Sequence, residues 1–128
     1  LKWSIGRQIV FKEIYASTVV PGHFKGWKKH TKMTQKLVVP IGSVEFLLFD
    51  DRENSNNHNI QQIIIGEDNY KRLIIPKNIW YGFKCSGDAV SLIVNTPDMR
   101  HDPDEVIRLP IDNDIIPIHG KHQWKYPL

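Results

Sequence analysis

An all-β fold, a barrel or sandwich of many short strands, is what this sequence predicts. Two observations carry the prediction. Short apolar or alternating runs recur along the chain with turn signals between them. No segment longer than about ten residues holds a helical period.

The elements follow in order. Residues 7–17, RQIVFKEIYAS, alternate loosely and read as a strand. Val20-Pro21-Gly22 is a turn signal. A second strand runs over residues 24–32, with polar side chains on both faces. Residues 36–41 are short and apolar, and Gly42-Ser43 turns the chain into VEFLLFDDRE, where Val44, Phe46 and Leu48 share one face. Residues 53–59, ENSNNHN, read as a loop. Strands are then expected over 60–65, 70–75, 79–84 and 89–95, with turns at 66–69, Lys77-Asn78 and Gly87-Asp88. After Thr96-Pro97 the pattern breaks. One helical turn is expected near 103–106, and the proline-bearing tail reads as extended or irregular.

Composition bounds the class. The 128 residues make one domain, 1–128, with a single sizeable core. The first residue is Leu1, which suggests a trimmed or disordered N-terminus. No run of about 18 apolar residues exists, so no membrane partner is expected. No signal pattern opens the chain. A lone cysteine, Cys85, excludes an internal disulfide and fits a reducing cytoplasm. The formal net charge of +3 points weakly to an anionic ligand. Lys25, Lys28, Lys29, Lys32 and Lys36 cluster, but a nucleic-acid stripe is longer and more one-sided, so nucleic acid is not the expected partner. Exposed sheet edges permit pairing between two chains.

The informative stretch is KGWKKHTKMTQKLVVPIG, residues 25–42. Lys28, His30 and Lys32 stand at period two, and one face of a barrel strand points inward. Lys28-x-His30, then Gln35, then Gly42 matches the spacing of the first cupin motif; Pro76-x-Asn78-x2-Tyr81-x3-Cys85 matches the second. That spacing predicts a cupin-type double-stranded β-helix, a jelly-roll barrel. In metal cupins the four matching positions hold ligands, yet here only His30 keeps a ligand type. Lys28 would repel a cation, so no metal is expected. The other histidines lack ligand spacing and read as surface or capping residues.

Three runs, KGWKKH…QKLVVPIGSVEFLLFDDRENS, NYKRLIIPKNIWYGF and NTPDMRHDPDEV, resemble the dTDP-4-dehydrorhamnose 3,5-epimerase family, whose members are non-metal cupins acting on nucleotide sugars. The likeness spans residues 7–118. The family's R-G-L-H-x-Q aligns with Lys25 to His30, its P-x-G-x-A-H-G-F with Pro76 to Phe83, and its proline-acidic turn with Asp102-Pro103-Asp104-Glu105.

The resemblance implies proton exchange beside the 4-keto group of a dTDP-4-keto-6-deoxy sugar, in cell-surface polysaccharide biosynthesis, with no cofactor and as a homodimer. A base removes a proton next to the ketone, an oxyanion forms, and an acid returns a proton. By position, the family's base falls on Lys28, its enolate-holding lysine on Gln35, its acidic tyrosine on Val94 and its phosphate-binding arginine on Lys25. Lys28 can be a base only if burial or neighbouring Lys25 and Lys29 depress its pKa. Val94 cannot be an acid, which leaves that role to Tyr81 on the facing hairpin or removes the second epimerisation.

The expected catalytic set is therefore Lys28, His30 and Tyr81. Lys25, Gln35, Trp27 and Tyr15 are expected around the substrate: Trp27 to stack on a nucleotide base, Tyr15 to line the pocket. His30 is the base or a sugar contact in this reading, and a hydrogen-bonded core histidine in the other. The alternative function is a sugar- or nucleotide-binding cupin without the base–acid pair.

Overall fold

A computed structural model of the chain describes residues 13–54 and 59–117. The parts of the first expected strand at 7–12 and of the loop at 55–58, with His58, His119 and His122, lie outside the described residues. The strands are β1 (Tyr15–Val19), β2 (Phe24–His30), β3 (Gln35–Ile41), β4 (Ser43–Phe49), β5 (Gln61–Gly66), β6 (Leu73–Ile75), β7 (Trp80–Cys85), β8 (Ser91–Asn95) and β9 (Val106–Arg108). They form two antiparallel sheets, β1-β8-β3-β6 and β5-β4-β7-β2-β9, facing each other as a jelly roll. The all-β, cupin-type expectation holds.

Several boundaries differ from the sequence reading. Within the described residues the first strand covers Tyr15–Val19, overlapping the expected range at 15–17, and β6 is shorter than 70–75. The expected helical turn is a 3₁₀ turn over Pro103–Glu105, opened by Asp102, whose side chain accepts the Asp104 N–H. The three residues after it are extended and paired, while 109–117 run through turns and bends. Val106–Arg108 form β9, which pairs with β2 through Lys28 opposite Arg108 and His30 opposite Val106.

Two apolar layers explain the composition of β4. Val44 and Phe46 point between the sheets, with Val19, Leu37, Val39, Ile65, Ile75 and Ile93. Leu47 and Phe49 point the other way and join Trp27, Ile60, Trp80 and Ile116 on the outer face of the larger sheet. The stretch after β9 covers that face, and Leu109 exchanges backbone hydrogen bonds of 3.0 and 3.1 Å with Trp27. A strand covered on both sides reads as a near-continuous apolar run rather than an alternation.

A bulge in β2 sets which side chains face inward. Lys25 opposes Phe83 and Lys28 opposes Tyr81, so β2 carries one residue more than β7 between those two pairs. Gly26 and Gly82 allow it. Gly26 holds φ near 151°, and a Cβ there would lie 2.7 Å from the Gly82 Cα. The extra residue lets Trp27 turn into the outer core while Lys28 and His30 point between the sheets. Trp27 is 0% exposed. Trp27→Ala is expected to cost about 3–5 kcal/mol of stability, read from denaturant melts, because a large buried aromatic leaves a cavity.

Candidate active site between the sheets

One cavity of about 200 Å3 opens between the two sheets. Its walls include Tyr15, Lys28, His30, Gln35, Tyr81 and Asn95. Five of the seven expected site residues therefore meet in one place, from four different strands. Two do not. Trp27 lies behind the sheet in the outer core, so it is a packing residue and not a base stacker. Lys25 is exposed and does not line the cavity; its Nζ donates to the Thr18 carbonyl at 3.1 Å. Its charge still reaches Lys28.

The floor of the cavity is a hydrogen-bonded chain. His30 Nδ1 lies 2.6 Å from Glu105 Oε2, and His30 Nε2 lies 3.2 Å from the Tyr81 hydroxyl. The His30 and Tyr81 rings stack with centroids 5.9 Å apart. Glu105 is 1% exposed. Its other oxygen accepts the Met33 N–H at 2.9 Å, and its carbonyl accepts the Thr31 N–H at 2.8 Å. A carboxylate only accepts, so His30 donates through Nδ1 and presents the Nε2 lone pair to Tyr81. Burial pushes the Tyr81 phenol up to about 12, so it holds its proton at neutral pH.

Cations gather on one side. Lys28 and Arg108 are cross-strand partners, and both line the cavity. Burial first, then Arg108 and Lys25, lowers the Lys28 pKa. Lys29 does not contribute, because it faces the opposite way. Its Nζ sits 3.3 Å from both Asp51 carboxylate oxygens and 4.7 Å from the Trp80 ring centre. Across the cavity, the Tyr15 ring meets His101 edge-on at 6.4 Å. Burial, with Glu13 alongside, raises the Tyr15 phenol to about 12.

Sequence reasoning missed Glu105, Arg108, Asn95 and the place of His101 at the cavity wall. Glu105 had one signal, its position in the proline-acidic turn. Val94, where the resemblance places the family's tyrosine, does not line the cavity; its neighbours Ile93 and Asn95 do. Among the described residues no group of three or more His, Cys, Asp or Glu side chains is arranged to hold a metal. No helix among them is long and apolar enough to cross a membrane.

A jelly roll with a hydrogen-bonded Glu105–His30–Tyr81 chain on its inner wall and cations beside it defines the class: a cupin-type barrel with a polar cavity. The chain is 37% identical over 103 residues to the probable low-salt glycan biosynthesis epimerase Agl13 of Haloferax volcanii, covering 77% of this chain and 65% of that protein. It superposes with a TM-score of 0.80 on a dTDP sugar isomerase from Desulfovibrio desulfuricans G20, at 39% identity over 91% of this chain and 76% of that one. The dTDP-4-dehydrorhamnose 3,5-epimerase of Elizabethkingia anophelis NUHP1 shares the fold alone, with a TM-score of 0.75 at 16% identity, over 92% and 64% of the two chains. No family model matches the chain. The chain belongs to the family of dTDP-4-dehydrorhamnose 3,5-epimerases and related dTDP-sugar isomerases. Its match spans just under two thirds of the length of the Haloferax relative.

Proposed function

We propose that this chain is a sugar-nucleotide epimerase or isomerase of glycan biosynthesis, exchanging a proton beside the 4-keto group of a dTDP-4-keto-6-deoxy sugar. The observation that carries the reading is the Glu105–His30–Tyr81 chain at the cavity floor. A ketone acidifies the C–H bonds next to it. Removing one of those protons places negative charge on the ketone oxygen, and the site must supply both a proton acceptor and a cation for that oxygen. His30 and Tyr81 form the proton-handling pair, with Glu105 holding the imidazole. Lys28 stands on the same wall with its charge directed at the cavity, and Gln35 adds an amide. Arg108, with Lys25 outside the mouth, sets the potential that favours a diphosphate. Cofactor-free chemistry is part of the proposal, since acid, base and cation are all side chains. So are a single cupin domain over residues 1–128, a cytoplasmic location and a homodimer.

The test is incubation with a dTDP-4-keto-6-deoxy sugar in deuterated water, followed by NMR at C3 and C5. Deuterium at either carbon above the uncatalysed rate is the expected result. Exchange at C3 alone identifies a single epimerisation or isomerisation. No exchange, with the nucleotide sugar still bound, returns the chain to the binding-module alternative. Lys28→Met is expected to slow exchange about 100-fold, as loss of one stabiliser of an oxyanion does. Unchanged exchange in Lys28→Met would remove Lys28 from the site.

A further inference from the structure

The polar chain extends past Tyr81, and its direction can be followed atom by atom. The Lys36 backbone N–H donates to Asn95 Oδ1 at 3.1 Å. A backbone N–H can only donate, so this contact fixes which end of the Asn95 amide is oxygen. Asn95 Nδ2 then donates to Gln35 Oε1 at 3.2 Å. That in turn leaves the Gln35 NH2 as the end that can face Tyr81 across the cavity both residues line, and Gln35 acts on the Tyr81 phenol as a donor does, lowering its pKa. Having accepted from Gln35, the Tyr81 hydroxyl donates its own proton to His30 Nε2. His30 Nδ1–H donates to Glu105, whose second oxygen is held by the Met33 N–H. Backbone N–H groups anchor both ends, so with a neutral imidazole each donor and acceptor between them has one consistent assignment.

Two consequences follow. Both ring nitrogens of His30 are engaged, Nδ1 by Glu105 and Nε2 by Tyr81. The Tyr81 oxygen has one lone pair taken by Gln35 and a second one left over, and Tyr81 lines the cavity. We propose that the Tyr81 oxygen, rather than His30 Nε2, is the atom that trades protons with the substrate, and that Asn95, acting through Gln35, is a positioning residue for it. This rests on the proton exchange proposed above. In the step, the C–H proton beside the ketone passes to the Tyr81 oxygen as the Tyr81 hydroxyl proton passes to His30 Nε2. The C–H electron pair becomes the enolate C=C bond, and the ketone oxygen takes the negative charge. Reversal of the same transfers returns a proton to that face of the carbon, which accounts for the deuterium exchange, and atoms and charge balance with no added reactant.

Two variants and two readouts test this. Tyr81→Phe keeps the ring stack on His30 and removes the hydroxyl. It is expected to slow deuterium exchange by about 100-fold or more, the usual contribution of a positioned acid–base group. Exchange within about 3-fold of wild type would overturn the assignment and return the proton transfer to His30. Asn95→Asp is nearly isosteric and still accepts from the Lys36 N–H, but it cannot donate to Gln35. Gln35 must then turn its NH2 toward residue 95 and present its oxygen to Tyr81, which draws the Tyr81 proton away from His30. The expected results are about a 10-fold fall in kcat, with KM less affected, and a shifted 15N signal for His30 Nε2 as it loses its donor. The 15N measurement needs no substrate. A wild-type Nε2 that carries the proton, or an Asn95→Asp spectrum with Nε2 unmoved, would overturn the positioning role. Wild-type protein inert toward every dTDP-4-keto sugar offered, with the 15N pattern as expected, would instead overturn the proposed reaction and leave the hydrogen-bond assignment standing.

Discussion

His30→Gln is expected to slow deuterium exchange at the sugar carbons by a factor of about 100 to 10,000, while thermal stability changes little. Glutamine has nearly the reach of imidazole, and its NH2 can still donate to Glu105. That contact matters for folding, because Glu105 is almost wholly enclosed and its carboxylate needs a partner. What glutamine lacks is a lone pair that can become protonated. Whether the substrate meets His30 directly or through Tyr81, the proton has to come to rest on the imidazole. The measurement is the exchange rate by NMR beside a thermal melt. A folded His30→Gln protein that exchanges as fast as wild type would take the acid–base assignment off this wall.

Replacing Glu105 separates stability from chemistry. Glu105→Ala removes the acceptor for the Met33 N–H and the His30 Nδ1–H, both buried. Leaving two buried donors unpaired is expected to cost about 3 kcal/mol, a fall of about 10 °C in melting temperature. Glu105→Gln should keep most of that stability. Its oxygen can accept from Met33, but its NH2 then faces His30 Nδ1 and compels the other tautomer. His30 Nε2 would carry the proton, point it at Tyr81 and lose its capacity to accept. Exchange should therefore fall in Glu105→Gln about as far as in His30→Gln, at nearly native stability. Full activity in Glu105→Gln would mean that the imidazole tautomer has no part in the reaction.

Much of the fold was legible because strands write themselves locally. Period-two patterns and Gly, Pro and Asn turns located seven of the nine described strands to within a few residues, and the described part of the first overlaps its expected range at 15–17. The last was missed. Val106–Arg108 is three residues long and follows a proline-rich turn, too short for any period to register. Its identity as a strand comes from its partner β2, about 75 positions earlier in the chain.

The site divided in the same way. Lys28 and His30 were legible because they sit two apart on one strand, and Tyr81 because it follows Pro76 and Asn78 at a recognisable spacing. Trp27 was misassigned to the ligand, since a simple alternation gives no warning of the bulge at Gly26 that turns it outward. Lys25, assigned to phosphate, proved to lie outside the wall.

By itself the sequence determined an all-β chain with a cupin spacing, its metal-ligand positions replaced, and a family resemblance that pointed to sugar-nucleotide chemistry. Those follow from side-chain period and residue type, which are local properties. Only the tertiary structure decided which groups speak to one another. Glu105 meets His30, Asn95 meets Gln35, and Arg108 meets Lys28, each across 60 residues of chain or more. A hydrogen bond has a direction that depends on what lies at its far end. The hydrogen-bonded chain was therefore unreadable until two sheets brought its members together, with a backbone N–H fixed at each end.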